Sequence, residues 1–401
     1  MRFPQPCSLA HKPLRVVMIG PFGLRPRGTM AVRALPLAQA LAARGHAVTV
    51  LLPPWQNPED AGRCWDEGSV AVENIALPPA LPGLFHLLTT LRLVRRALAL
   101  QPDVVHFFKP KAYSGLAHWL LTRLPRARRP RLVVDSDDWE GAGGWNDLAP
   151  YSPAQRAFFA WQERWGLTHA DALTVASRTL QSLAWSLGVD PARVFYAPNG
   201  VCTYAAAPAP ASGPQRAGAA ILLYTRFFEF PVAHVVALLR RVRETLPQAR
   251  LLVAGQGLFG EEQELLRQAQ QAGLADAVEY LGWVEAERLP EVFSQVALAI
   301  YPFDDTLVNR AKCPVKLLDL LAAGVPVVAE AVGEIREMIR HGESGWLVQP
   351  GNVEEFAAAV IQLLQDATLR QRLGQAASQD MHVRRAWERL AEAVERAYGV
   401  G

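Results

Sequence analysis

Short apolar runs separated by helical stretches recur along both halves of this chain, and that alternation restricts its fold more than any other feature. The first half carries LRVVMIG (14–20), AVTVLL (47–52), VAVENIAL (70–77), DVVHFF (103–108), RLVVDSD (131–137) and ALTVAS (172–177). The second carries ILLYT (221–225), ARLLVAG (249–255), AVEYLGWV (277–284), VALAIYP (296–302), VPVVA (325–329) and GWLV (345–348). Most are bounded by Gly, Pro or Asp and have no polar face, as strands buried on both sides do. Helical stretches lie between or after them, including Thr29–Arg44, 84–100, 152–169 and 384–398. Strand–helix alternation of this kind builds parallel sheets covered by helices on both faces. At 401 residues the chain suits two such domains rather than one core.

The expected boundaries follow composition. Residues 1–201 form a first domain, and the Ala-, Pro- and Gly-rich stretch 202–219 a linker. Residues 220–381 form a second domain, and 382–401 end the chain in an amphipathic helix. No run of about 18 uncharged apolar residues predicts a spanning helix. The N-terminal stretch lacks the apolar centre of a signal peptide, and its apolar run reads as the first strand. The four cysteines are scattered without metal spacing, which suits free thiols in a reducing cytosol.

Charge is uneven. Residues 1–200 hold 22 Lys+Arg against 14 Asp+Glu, hence +8, and residues 201–401 hold 19 against 24, hence −5. A basic first half suits an anionic acceptor, an anionic membrane surface or nucleic acid, and RLPRARRPR (123–131), which contributes much of the charge, also reads as a solvated loop. The stretch LFHLLTTLRLVRRALAL (84–100) has a basic edge that fits anionic lipid and apolar positions that fit packing on the sheet. Among 36 arginines there are only 5 lysines, and four of these pair up as Lys109/Lys111 and Lys312/Lys316. A compact ammonium suits a phosphate contact where the guanidinium fork does not fit.

Residues 312–351 concentrate the chemistry. A helix LLDLLAA, the turn Gly324-Val325-Pro326 and the strand VPVVA follow the lysine pair. A helix that opens beside cations favours an anion, because backbone N–H groups and the positive helix end converge on it. G-x-G-x-x-G occurs once, at Gly255, Gly257 and Gly260, with Glu279 nineteen residues beyond. That spacing matches a dinucleotide fingerprint, although it falls in mid-domain and not in a first βαβ unit. A tight turn explains the same glycines.

This order of elements and motifs resembles the retaining glycosyltransferases of family 4, which have the GT-B fold. The resemblance covers about residues 14–400. It implies an α/β fold with two Rossmann-like domains facing across a cleft, and a cytoplasmic, metal-independent hexosyltransferase with no cofactor. The donor would be a nucleoside diphosphate sugar. The acceptor would be a carbohydrate, a lipid-linked or a small molecule, with no nucleic acid partner and with peripheral membrane contact through the basic first domain. Donor contacts are implied for Arg226, Gly257, Trp283, Lys312, Val315, Lys316 and Asp319. Asp319 stands for the second glutamate of the family signature, where it would accept hydrogen bonds from ribose hydroxyls. His106 and Asp137 are implied as catalytic, and Gly28, Thr29 and Lys109 as the acceptor and phosphate loop.

Two positions depart from the family pattern. Pro231 stands where the family has a lysine five residues after Arg226, and Ala311 where it has the first glutamate. Lys312 or Lys316 is the expected substitute cation, and Asp304 or Asp305 the expected substitute carboxylate. Asp135-Ser136-Asp137 spells the D-x-D metal motif of the other major glycosyltransferase fold, discounted because that motif belongs to a single-domain architecture. An NAD-dependent oxidoreductase using the Gly255 turn, and a non-catalytic nucleotide-sugar binder, are the alternative readings.

Overall fold

The computed structural model describes residues 12–25, 28–81, 84–201 and 218–400. Nearly all of the expected linker, 202–219, lies outside them. The described chain divides into two compact units, Met1–Pro198 with Trp387–Gly401, and Asn199–Ala386.

The first unit is built on a sheet of β1 (Arg15–Ile19), β2 (Ala47–Leu52), β3 (Cys64–Glu67), β4 (Val70–Asn74), β5 (Val104–Phe108), β6 (Arg131–Ser136), β7 (Ala172–Val175) and β8 (Val194–Tyr196). Their order is β3-β4-β2-β1-β5-β6-β7-β8. Every pairing is parallel except β3 with β4. β5 is buried at all of its positions and β1 at all but the first, as a sheet covered on both faces requires. Strand order reverses between β1 and β5, so the loops after these strands meet at a topological switch point, where open α/β sheets bind ligands.

The helix Trp387–Tyr398 completes this unit's core. Trp387, Leu390, Ala391, Val394, Ala397 and Tyr398 are buried at helical spacing, packed with Met18, Leu41 and Val133. Glu395 fastens the helix to Arg44 (2.7 Å) and His46 (3.0 Å).

The second unit holds β9 (Ala220–Tyr224), β10 (Arg250–Ala254), β11 (Val278–Gly282), β12 (Leu298–Tyr301), β13 (Val327–Glu330) and β14 (Trp346–Val348). They run parallel in the order β11-β10-β9-β12-β13-β14. Here the reversal falls between β9 and β12, whose carboxyl ends are Tyr224 and Tyr301. Two apolar clusters, one on each side of this sheet, are drawn from this unit alone.

Candidate active site

In the second unit, the switch point gathers most of the expected donor residues. Lys312 ends the short helix Leu307–Ala311, and Val315 opens the helix Val315–Ala322. Lys316, one residue on, places Nζ 3.6 Å from the Tyr224 ring centroid and 5.7 Å from that of Trp283. A cation over an aromatic face is attracted by the ring quadrupole. Asp319, one turn further and half-buried, is close enough to the buried Tyr301 hydroxyl to help hold its pKa well above normal, chiefly a consequence of burial. Lys312 Nζ donates to Glu229 Oε1 at 2.8 Å and lies 4.0 Å from the Phe228 ring centroid. Arg226 is exposed in the loop after β9 and makes no ion pair among the described residues. Of the two substitute carboxylates, Asp305 pairs with Arg310, whereas half-buried Asp304 has its carboxyl pKa raised, first by burial and then by Glu330.

The Gly255 turn does not have the surroundings of a pyrophosphate cradle. Gly255 has φ +131° and packs so tightly that a Cβ would lie 1.9 Å from Thr225 O. The N–H of Gly257 donates to Glu262 at 3.0 Å, and that of Phe259 to Glu261 at 2.7 Å. Glu261, Glu262 and Glu264 fill the first turn of the following helix. Carboxylates therefore occupy the positive helix end that a dinucleotide would use. This disfavours the oxidoreductase reading, and it leaves Gly257 a structural neighbour of the site through the contact between the Gly255 and Thr225 loops.

In the first unit, Thr29, Lys109 and Asp137 come together at the switch point. Thr29 begins the helical stretch entered by a π-helical turn, Met30–Ala34, but its hydroxyl does not cap that turn. It donates instead to Asp137 Oδ2 at 2.6 Å. Gly28 O accepts from Ala31 and Val32, closing the turn. Lys109, in the left-handed region at φ +53°, sets Nζ 2.6 Å from Asp138 and 3.2 Å from Asp137. Burial would lower the Lys109 pKa, yet Asp137, Asp138 and Glu140 hold it well above normal. Burial, opposed by Lys109, raises the Asp137 carboxyl to about 6. Lys111 pairs with Glu140 at 2.5 Å and donates to the Tyr151 hydroxyl at 2.9 Å.

His106 belongs elsewhere. The strand runs on to Phe108, so His106 sits mid-strand and fully buried, not at the carboxyl end. Its nitrogens engage Tyr398 Oη at 2.9 Å and Thr174 Oγ1 at 3.0 Å. Burial drops its pKa to about 4. These are the surroundings of a core histidine that ties the C-terminal helix to the sheet. The D-x-D reading also loses its first member: Asp135 is buried, accepting from Arg33 through both oxygens (2.7 Å each) and from Thr174 (2.6 Å). No group of three or more His, Cys, Asp or Glu among the described residues could hold a metal ion.

Four charged residues of these sites escaped the sequence reading: Arg33, Glu140, Glu163 and Glu229. Two carried a usable signal. Arg33 is the one charge in the apolar helical stretch MAVRALPLAQALAA, and Glu229 the one charge in FFEF. Glu163, fully buried with its pKa raised well above normal by burial, lies in the mixed run WQERW, where no pattern separates it from a surface residue.

Comparison with known proteins decides the family. Residues 220–366 match the family described as Glycosyl transferases group 1, and residues 28–200 match the Glycosyl transferase 4-like domain. The chain belongs to the group 1, family 4-type glycosyltransferases. It is 28% identical over 397 residues to the phosphatidyl-myo-inositol mannosyltransferase of Mycobacterium leprae, covering 96% of both chains. The glycosyltransferase fold is that of sucrose-phosphate synthase from Thermosynechococcus elongatus, with TM-score 0.72, 20% identity, and 96% and 98% of the two chains covered. Anabaena HepE, solved with UDP and glucose, gives TM-score 0.69 at 17% identity, covering 96% and 99%. The glycosyltransferase thus has a GT-B fold of two parallel-sheet α/β domains.

Proposed function

We propose that this glycosyltransferase transfers a hexose from a nucleoside diphosphate sugar, with retention of anomeric configuration and without a metal ion. The observation that supports the reading is that the second unit's switch point holds Lys312 over Phe228, Lys316 over Tyr224 and Asp319 near Tyr301. Cations there would stabilise the charge that develops on a leaving diphosphate, and Asp319 would accept from ribose hydroxyls. In the first unit, Asp137, Thr29 and Lys109 offer an acceptor hydroxyl both hydrogen-bond acceptors and a cation. The leaving diphosphate itself would take the acceptor's proton, so no protein nucleophile is required.

The Mycobacterium leprae relative, named for a phosphatidyl-myo-inositol acceptor, supports a lipid-linked acceptor among the classes open to this chain. No helix of the described residues is long and apolar enough to cross a membrane. The helix Leu84–Ala99 exposes Leu84, Leu87 and Leu91 beside Arg92, Arg95 and Arg96, a composition suited to peripheral contact with anionic lipid.

The test is nucleoside diphosphate release from UDP-, GDP- and ADP-sugars, in EDTA, with phosphatidylinositol, oligosaccharide and small-alcohol acceptors. Acceptor-dependent release and an NMR-assigned product of retained configuration are expected. Inversion, or an absolute requirement for divalent metal, overturns the corresponding part. Diphosphate binding without turnover on any acceptor favours the non-catalytic binder.

A further inference from the structure

The helix Pro153–His169 buries two adjacent polar residues, Gln162 and Glu163, against the loops that carry the first unit's site. Gln162 holds the loop after β5: its Oε1 accepts from the Ala112 N–H at 2.8 Å, and its Nε2 donates to Ala112 O at 3.0 Å. One turn on, Gly166 lets Pro110 of the same loop pack against the helix, where a Cβ would stand 2.6 Å from Pro110 Cβ. That loop needs holding. Lys109 at φ +53° and Ala112 at φ +49° lie in the left-handed region, which residues with side chains adopt only where their surroundings impose it. Glu163 reaches the loop after β6, where its Oε1 accepts from Ser136 Oγ at 3.4 Å, next to Asp137 and Asp138. We infer that Glu163 is a positioning residue of the acceptor site: from behind the cluster it keeps the Lys109 ammonium on Asp137 and Asp138. This deepens the acceptor reading above and rests on it.

The second oxygen of Glu163 marks it as more than packing. Oε2 is buried and has no hydrogen-bond partner. A polar atom out of water and unpartnered is costly, and an apolar side chain of similar size would fill the same space at less cost. Depth within the cluster separates the roles. Side-chain exposure falls from 19% for Asp138 and 10% for Asp137 to 5% for Glu140, and Glu163 is fully buried. An acceptor therefore meets the two aspartates and never Glu163, which acts through the groups in front of it.

Lys109 is the link. Its Nζ lies 2.6 Å from Asp138, 3.2 Å from Asp137 and 3.8 Å from Glu140. The groups facing the Glu163 carboxyl are Glu140 and Asp137 with Ser136 from the loop after β6, and Lys109 from the loop after β5. Burial, then Glu140 and Asp137, raise its pKa well above normal against the pull of Lys109, which favours the uncharged acid. An ionised Glu163 would compete with the aspartates for the ammonium. The neutral acid leaves Lys109 with them, and its bond from Ser136 holds the residue that precedes Asp137.

The test uses the full-length protein and the most productive pair among UDP-, GDP- and ADP-glucose and the acceptors phosphatidylinositol, maltotriose and glycerol. Glu163→Leu should raise the acceptor KM about tenfold and leave the donor KM within about twofold. Glu163→Gln keeps an uncharged hydrogen-bonding group beside Ser136 and should bring the acceptor KM back to within about threefold of the unaltered value. Its acceptor KM should also follow the unaltered protein's profile from about pH 6 to 8, since neither then carries a charge at this position. With only five lysines in the chain, amine acylation can be followed residue by residue by mass spectrometry, without substrate or turnover. Lys109 should be acylated several times faster in Glu163→Leu than in the unaltered protein, with Lys312 and Lys316 at their usual rates. Glu163→Met takes the place of a leucine variant that does not fold. Unmoved Lys109 acylation, equal losses toward donor and acceptor, or a glutamine variant as impaired as the leucine one overturns the inference. Faster Lys109 acylation with an unmoved acceptor KM shows a brace that serves the fold, and overturns the acceptor reading on which the inference rests.

Discussion

His118 is an imidazole enclosed by rings, 5.0 Å from the Phe107 centroid and 5.1 Å from that of Trp165, and neither nitrogen makes a hydrogen bond. Burial lowers its pKa to about 3, and that of His106 to about 4. Between pH 6.5 and 4 the unfolded chain therefore binds protons at both positions that the folded chain does not. Stability falls as acid is added, by about 1.4 kcal/mol per pH unit for each histidine. Asp137 acts in the opposite sense. Its folded pKa of about 6 lies above the unfolded value, so its contribution falls as pH rises towards 6. Glu163, its pKa also raised well above normal by burial, acts in the same sense as Asp137, so the pH dependence is the balance of these four groups. His118→Phe should raise stability at pH 7 by about 1 kcal/mol, by removing an unpartnered polar group. It should also remove the His118 share of the dependence between pH 4.5 and 6, about 1.4 kcal/mol per pH unit; urea titrations across that range measure both effects. A variant as acid-sensitive as the unaltered protein would mean that His118 is not buried neutral. Arg33 is the converse case, a buried cation that is fully paired. Arg33→Met strands the Asp135 carboxylate and should cost about 3–5 kcal/mol in the same titrations.

Two loop glycines separate backbone freedom from close packing. Gly260 has φ +86° and open space where a Cβ would stand, whereas Gly255 combines φ +131° with a Cβ position 1.9 Å from Thr225 O. Gly260→Ala should cost only the left-handed penalty of about 1–2 kcal/mol. Gly255→Ala adds a backbone clash and should lower Tm clearly further, while weakening diphosphate binding because Thr225 begins the Arg226 loop; paired thermal melts compare them. Equal Tm losses would show that the Thr225 contact yields readily. The same glycines mark where the sequence was readable. The six apolar runs of the second half are all strands, since burial on both faces removes any polar alternation that could mislead. In the first half, β3 (CWDE) and β8 (VFY) went unread. One is half-exposed and antiparallel, the other only three residues long, so neither carries a buried run. At the sites, the lysine pairs and the family resemblance pointed to Lys312, Lys316 and Asp319 but gave no sign of their partners. Glu229 is 83 residues from Lys312, and Thr29 is 108 from Asp137, separations that only the sheet order brings together.

The chain passes from its first unit to its second and back, with the boundaries at Asn199 and Trp387. The second unit is continuous, and both of its apolar clusters draw on no residue outside 199–386. The first unit is not self-sufficient in the same way. Trp387, Leu390, Val394 and Tyr398 each bury nearly all of their surface in its core. At about 1.5–3 kcal/mol per large apolar side chain, their loss equals much of a domain's net stability of about 5–15 kcal/mol. Their removal would also strand His106 and Arg44, whose partners Tyr398 and Glu395 leave with them. A chain ending at Ala386 should therefore keep a folded second unit beside a first unit that is unfolded or aggregated. A fragment of residues 199–386 should fold alone and bind the same nucleoside diphosphate as the full chain, since Arg226, Glu229, Lys312, Lys316 and Asp319 all lie within it. Dispersed amide NMR spectra and ligand-dependent shifts in Tm check the fragment, and limited proteolysis checks the truncated chain. A first unit that stays protease-resistant without residues 387–401 would show that the last helix covers its core without being needed to close it.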